Sequence, residues 1–88
     1  MSQHTFTVSS HHVLCGWDRP LQGYFLVIEH DDHEKPIYSN LYEAQPHPDT
    51  FDVFLVVLAR FGFPVPDGLI EALEQDKRNN VGNQLTQW

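Results

Sequence analysis

Cysteine is nearly absent: Cys15 stands alone, so the chain can form no internal disulfide and no cysteine-based metal cage. A single thiol in phase with Val13 and Trp17 reads as a small buried hydrophobe rather than a nucleophile, and the composition fits a reducing compartment. Positive charge is also scarce. Five Lys and Arg face twelve Asp and Glu, a formal net charge of −7. Binding nucleic acid requires phosphates to be neutralised by clustered Lys and Arg; no nucleic-acid partner is expected, and an anionic membrane surface is disfavoured for the same reason. Long apolar runs are missing as well. The longest, Val53 to Ala59, falls far short of the roughly 20 residues that span a bilayer. The opening Met1-Ser2-Gln3-His4 lacks the basic and apolar stretches of a signal peptide, which leaves the cytoplasm as the expected location. Glycines occur singly, at positions 16, 23, 62, 68 and 82, so no phosphate-cradling loop is present. No hydrolase elbow, zincin or EF-hand spacing occurs. No catalytic residue and no cofactor is assigned.

The remaining residues suffice for one small domain over 1–88, strand-rich from 4 to 43 and helical from 49 to 78. The apolar share is 41%, neither disordered-like nor membrane-like. Phe6 and Val8 alternate with Thr5 and Thr7 as in a strand. Apolar residues then change parity to Val13, Cys15 and Trp17, so a turn or bulge is placed near Ser10. Residues 16–20 read as a loop. Leu21 to Glu29 is apolar on both parities, the pattern of a central strand. Across a polar tip at 31–34, a partner strand is expected over Lys35–Tyr42, with Ile37 opposite Ile28. Two prolines at 46 and 48 end the sheet region. A helix capped at Asp49 or Thr50 runs to about Phe61 and stops at Gly62. A second, opened by Pro66 and Asp67, runs to about Arg78, burying Leu69, Ile70 and Leu73, with Asn79-Asn80 as its C-cap. Val81–Trp88 supplies a possible last strand. The order β-β-β-α-α-β gives an α+β fold, a small antiparallel sheet of three or four strands with both helices on one face.

Two constellations bear on function. His30-Asp31-Asp32-His33-Glu34 packs two imidazoles and three carboxylates into one turn, and His30, Asp32 and His33 are the candidate ligands of a divalent metal. The competing reading is a solvated hairpin tip, because neighbouring side chains on a turn splay apart. The second is surplus apolar surface. With the helices on one face of the sheet, Phe25, Tyr38 and Tyr42 fall on the other. Val53 and Val56 lie opposite the core stripe of the first helix. Trp17, Asp18 and Arg19 form an exposed-looking loop of types enriched at binding hot spots. These eight residues are the candidate partner-binding set. The expected function is a non-catalytic acidic protein-interaction module, self-associating or docking on another protein. The alternatives are a metal-binding protein or enzyme built on the 30–34 turn, and a small acidic inhibitor or immunity-type protein.

Overall fold

A computed structural model describes all 88 residues. Five strands form one sheet: β1 (Ser2–Val8), β2 (His11–Asp18), β3 (Gly23–His30), β4 (Tyr38–Ser39) and β5 (Gln84–Gln87), in the spatial order β4-β3-β2-β1-β5. Between β4 and β5 come a 3-10 turn (Asn40–Tyr42) and two helices, α1 (Asp52–Phe61) and α2 (Leu69–Arg78). The fold is α+β. The sheet has one strand more than expected and is mixed: β1 pairs antiparallel with β2 but parallel with β5. Parallel neighbours need a long crossover, and here the rest of the chain, helices included, supplies it.

Register explains where the core sits. Phe6 pairs with Val13 and Val13 with Ile28; Cys15 pairs with Leu26 and Trp17 with Tyr24. All share one face. Against them pack Phe51, Phe54, Val57, Leu58, Leu69 and Leu73 from the helices and the residue preceding α1, in a single apolar cluster. Each such side chain contributes roughly 1.5–3 kcal/mol when fully buried. The change of parity near Ser10 is a turn in which Ser9 adopts a left-handed φ of 53°. Gly62 closes α1 in the left-handed conformation, its N–H reaching the carbonyls of Leu58 and Ala59. Asn79 caps α2 and Asn80 follows at φ 47°, as an Asn pair permits.

The fifth strand is fastened by polar groups. His4 is buried and its Nε2 lies 2.6 Å from Asp76 Oδ2 on α2. The Trp88 indole N–H donates to His4 Nδ1 at 3.0 Å. An indole can only donate, so Nδ1 carries no proton and Nε2 is the nitrogen that donates to the Asp76 carboxylate. One neutral imidazole thus ties β1 to α2 and to the residue after β5.

Five expectations change. The first helix starts at Asp52 with Phe51 at its N-cap and no side-chain cap, rather than being capped by Asp49 or Thr50. The Trp17-Asp18-Arg19 loop is mostly strand: β2 runs through Asp18, because Gly16 lets the chain start lie close. A Cβ on Gly16 would collide with the Ser2 carbonyl, and the Ser2 hydroxyl accepts the Trp17 N–H at 3.0 Å. The strand expected over 35–42 shrinks to two residues, then turns at Ser39, whose hydroxyl accepts the Leu41 N–H. Its register is one residue off: Ile28 pairs with Tyr38, not Ile37. Lastly, α2 starts at Leu69 rather than Pro66 and leaves Ile70 38% exposed.

Gly16→Ala is expected to cost about 2 kcal/mol or more, since backbone must move. Gly62→Ala, with open space around it, costs only its positive φ, about 1 kcal/mol. Urea unfolding of the two variants compares them; equal losses would contradict the close approach of β1 to Gly16.

Candidate functional site

The helix α1 carries its apolar residues around more than one face. Phe54, Val57 and Leu58 are sealed in the core, while Val53 is 41% and Val56 52% exposed. With Arg60 they form one stripe at i, i+3 and i+7. Beside it the sheet edge contributes Tyr38, half-buried, and Tyr42, 64% exposed. Their rings meet edge to face at 6.3 Å. Tyr38, Val57, Arg60 and Phe61 line a shallow hollow of about 220 Å³ between β4 and α1. Arg60 makes no ion pair: the pairs within 4.0 Å are all His to Asp. Leu41, 70% exposed, adds to the same edge. The strip is therefore apolar and aromatic, with the Arg60 cation in it and the Glu43 carboxylate, which accepts the Tyr38 hydroxyl at 2.9 Å, at its edge.

From Phe61 the aromatics continue. Phe61 stacks on Phe63 at 5.3 Å, Phe63 meets His11 at 4.8 Å, His11 meets His30 at 4.6 Å, and His30 meets His33 at 5.1 Å. The 30–34 turn is thus tied up by ring contacts and local hydrogen bonds. His30 Nδ1 accepts the Asp32 N–H at 3.1 Å and lies 4.0 Å from the Asp32 carboxylate. Asp31 turns instead to His12, 2.5 Å away. No three His, Cys, Asp or Glu side chains gather anywhere in the chain as a metal would require; His30, Asp32 and His33 do not converge.

A groove of about 580 Å³ runs between the start of α1 and the outer side of α2, lined among others by Tyr24, Asp49, Asp52, Leu55, Glu74 and Lys77. Two of its polar side chains, Tyr24 and Lys77, are already engaged. The Tyr24 hydroxyl donates to the Leu73 carbonyl at 2.9 Å. Lys77 Nζ donates to the Asp49 carbonyl and sits 6.0 Å from the Trp17 ring centre. Burial, then the charges of Glu74 and Asp76, push the Tyr24 phenol up to about 12, so it is no proton shuttle near neutrality. Cys15, His4 and Asp76 bring together the residue types of a thiol nucleophile, a base and an orienting acid. They cannot act as one. Both His4 nitrogens are engaged, and burial pushes the Cys15 thiol, wholly shielded from solvent, up to about 12.

Of the eight residues singled out from sequence, Val53, Val56 and Tyr42 are exposed and Tyr38 borders them. The other four are placed elsewhere. Trp17 is 2% exposed and Asp18 7%. The Trp17 indole donates to Asn80 Oδ1 at 3.1 Å, and Asp18 Oδ1 accepts the Leu21 N–H at 3.1 Å. They hold a corner of the fold together; Arg19 remains outside it, exposed. Phe25 does lie on the face away from the helices, but it is 6% exposed with its ring over Gly16. Tyr38 sits on the helix-bearing face, because the one-residue register shift moves it there. Sequence reasoning missed Phe61 as a surface residue, since on a helical wheel it falls within the core stripe.

Titration should show which buried groups matter. The Cys15 thiol rises from an ordinary 9.0, and the Tyr24 and Tyr38 phenols from 10.0, all to about 12. For Tyr38 burial leads, followed by the hydrogen bond to Glu43 and its charge, with Arg60 opposing. The folded chain holds protons that the unfolded chain releases. Their stabilisation is complete below pH 9 and is lost as pH rises towards 12. Urea midpoints are expected to fall progressively above pH 9, with Cys15→Val flattening the first part of the fall. A midpoint constant to pH 11 would contradict this burial. Compared with known proteins, the chain matches no family model, no curated protein and no solved structure.

Proposed function

We propose that the chain is a non-catalytic protein-interaction module that docks through the strip formed by Val53, Val56 and Arg60 of α1, with Tyr38, Tyr42 and Phe61 beside them. The observation that carries this reading is the exposure of Val53 and Val56 on the outside of a helix whose inner side is already packed. Apolar side chains standing together beside tyrosines are the composition of an interface core rather than of a solvated face. Covering Val53, Val56, Tyr42 and Phe61 is worth roughly 1–2 kcal/mol each, against an association cost of at least about 4 kcal/mol. The balance gives a transient complex. Arg60 then decides the partner. Arg60 has no carboxylate within 4.0 Å, while the nearby Glu43 carboxylate is engaged by the Tyr38 hydroxyl, so the fitting partner sets a carboxylate against Arg60 within an apolar surface. Pairing a guanidinium that has no carboxylate of its own adds specificity as well as affinity.

The test is affinity capture by the intact chain in parallel with Val53→Asp/Val56→Asp and with Arg60→Glu. A protein held by the parent and lost with both variants, at unchanged circular dichroism and unfolding midpoint, is the expected result. A partner held equally by all three would refute the strip, and capture of nothing by the parent would refute the module.

A further inference from the structure

The charges of this chain are not spread along it. Every Asp, Glu, Lys and Arg lies between Asp18 and Arg78; residues 1–17 and 79–88 contain none. The fold then brings those two uncharged stretches together, since β1 and β5 are neighbours and β5 is the last strand on its side of the sheet. The β1–β5 edge of a strongly acidic protein thus carries no charged side chain of its own, although the Arg19 guanidinium from just past the end of β2 comes up against Gly82 beside it; most of the charges stand on α1, α2 and the β3–β4 side.

That edge is open. Gln84 and Trp88 donate their N–H groups inward, to the carbonyls of Met1 and Thr5, at 3.4 and 2.8 Å. Backbone groups alternate sides along a strand, so Leu85 and Gln87 each turn an N–H and a C=O outward. Exposed edges are ordinarily blunted by Lys, Pro, bulges or a covering segment. The opposite edge has such protection: β4 is two residues long, and beyond it the Tyr24 N–H is taken by the Pro48 carbonyl at 2.8 Å. The Gln84-Leu85-Thr86-Gln87 strand has none of these devices, and Leu85 stands 60% exposed on it.

We infer that β5 is a self-association edge, pairing antiparallel with β5 of a second copy about a two-fold axis through Thr86. In this register Leu85 faces Gln87 of the second copy, and Gln87 faces Leu85, completing four hydrogen bonds from the outward groups. The two Leu85 side chains come within diagonal reach on the face the helices leave bare. A second copy is the occupant that the charge distribution selects. Two chains of −7 repel, and contact through strands that carry no charged side chain keeps most of their acidic groups apart. The interface is short, which places it among weak, concentration-dependent contacts. It goes beyond the docking strip and does not depend on it: the strip lies at the β4 side, so a dimer would display two strips at its far ends.

Sedimentation equilibrium from about 5 μM to about 500 μM covers the range in which an interface of this size associates. The parent is expected to move from monomer towards dimer across that range, more readily in salt that screens the −7 charges. Leu85→Pro removes an outward N–H and leaves the pairing with β1 intact, and should stay monomeric. Leu85→Lys/Gln87→Lys serves the same purpose with the backbone unaltered, should the proline variant fail to fold. Thr86→Cys should cross-link under mild oxidation, because the non-hydrogen-bonded pair on the axis has Cα atoms about 4.5 Å apart, within disulfide reach. A parent monomeric throughout would overturn the inference. So would a dimer that survives both edge variants, and a dimer abolished by Val53→Asp/Val56→Asp would move self-association to the docking strip instead.

Discussion

Two helices of ten residues can shield one face of a five-stranded sheet and little more. Everything distinctive about the molecule follows from how that limited cover is used. Phe54, Val57, Leu58, Leu69 and Leu73 are spent on the sheet residues beneath them. The opposite face makes do with Phe25 folded over Gly16 and with half-buried Leu14 and Val27. Nothing is left to cover the outer side of α1. Val53 and Val56 are wet because the inner side of the same helix is already committed, and a third helix or a longer β4 would be needed to hide them.

The buried polar groups serve the same end. His4 joins β1 to α2 through Asp76 and to Trp88 beyond β5. Trp17 joins the end of β2 to Asn80 after α2. These bonds hold α2 and the last strand in place, so that the sheet extends one strand further than the core alone requires. They also occupy His4 and Asp76, which with Cys15 have the residue types of a thiol catalytic set. An imidazole with both nitrogens occupied is a strut, and a thiol sealed behind it takes no part in proton transfer near neutrality. At the surface of α1 and β4 stand aromatic rings, two valines and a guanidinium without an ion-pair partner.

Much of this was legible in the sequence, for identifiable reasons. Parity gave the buried face of β1, β2 and β3, and the break in parity at Ser10 marked the first turn. Gly62 and Asn80, both left-handed, marked the helix ends. The exposure of Val53 and Val56 followed from helical spacing alone. What failed depended on distant contacts. Gly16 reads as a loop residue until Ser2 is seen against it, and with Gly16 in a strand Trp17 goes inside. The β3–β4 register turns on a seven-residue connection that carries no tight-turn pair, and one residue of error moved Tyr38 to the other face. Parallel pairing of β5 with β1 joins opposite ends of the chain, which no local pattern encodes.

A docking surface on α1 requires its apolar side to be uncovered in the free chain, and this can be read at individual methyl groups. With valine methyls labelled, a soluble paramagnetic chelate broadens signals in proportion to their exposure. Val53 and Val56 are expected to broaden strongly, while Val57 on the same helix and Val13 in β2, 3% and 1% exposed, stay sharp. Val53 and Val56 as protected as Val57, at concentrations where the chain is monomeric, would show that α1 has no free side and would remove the ground for a docking surface.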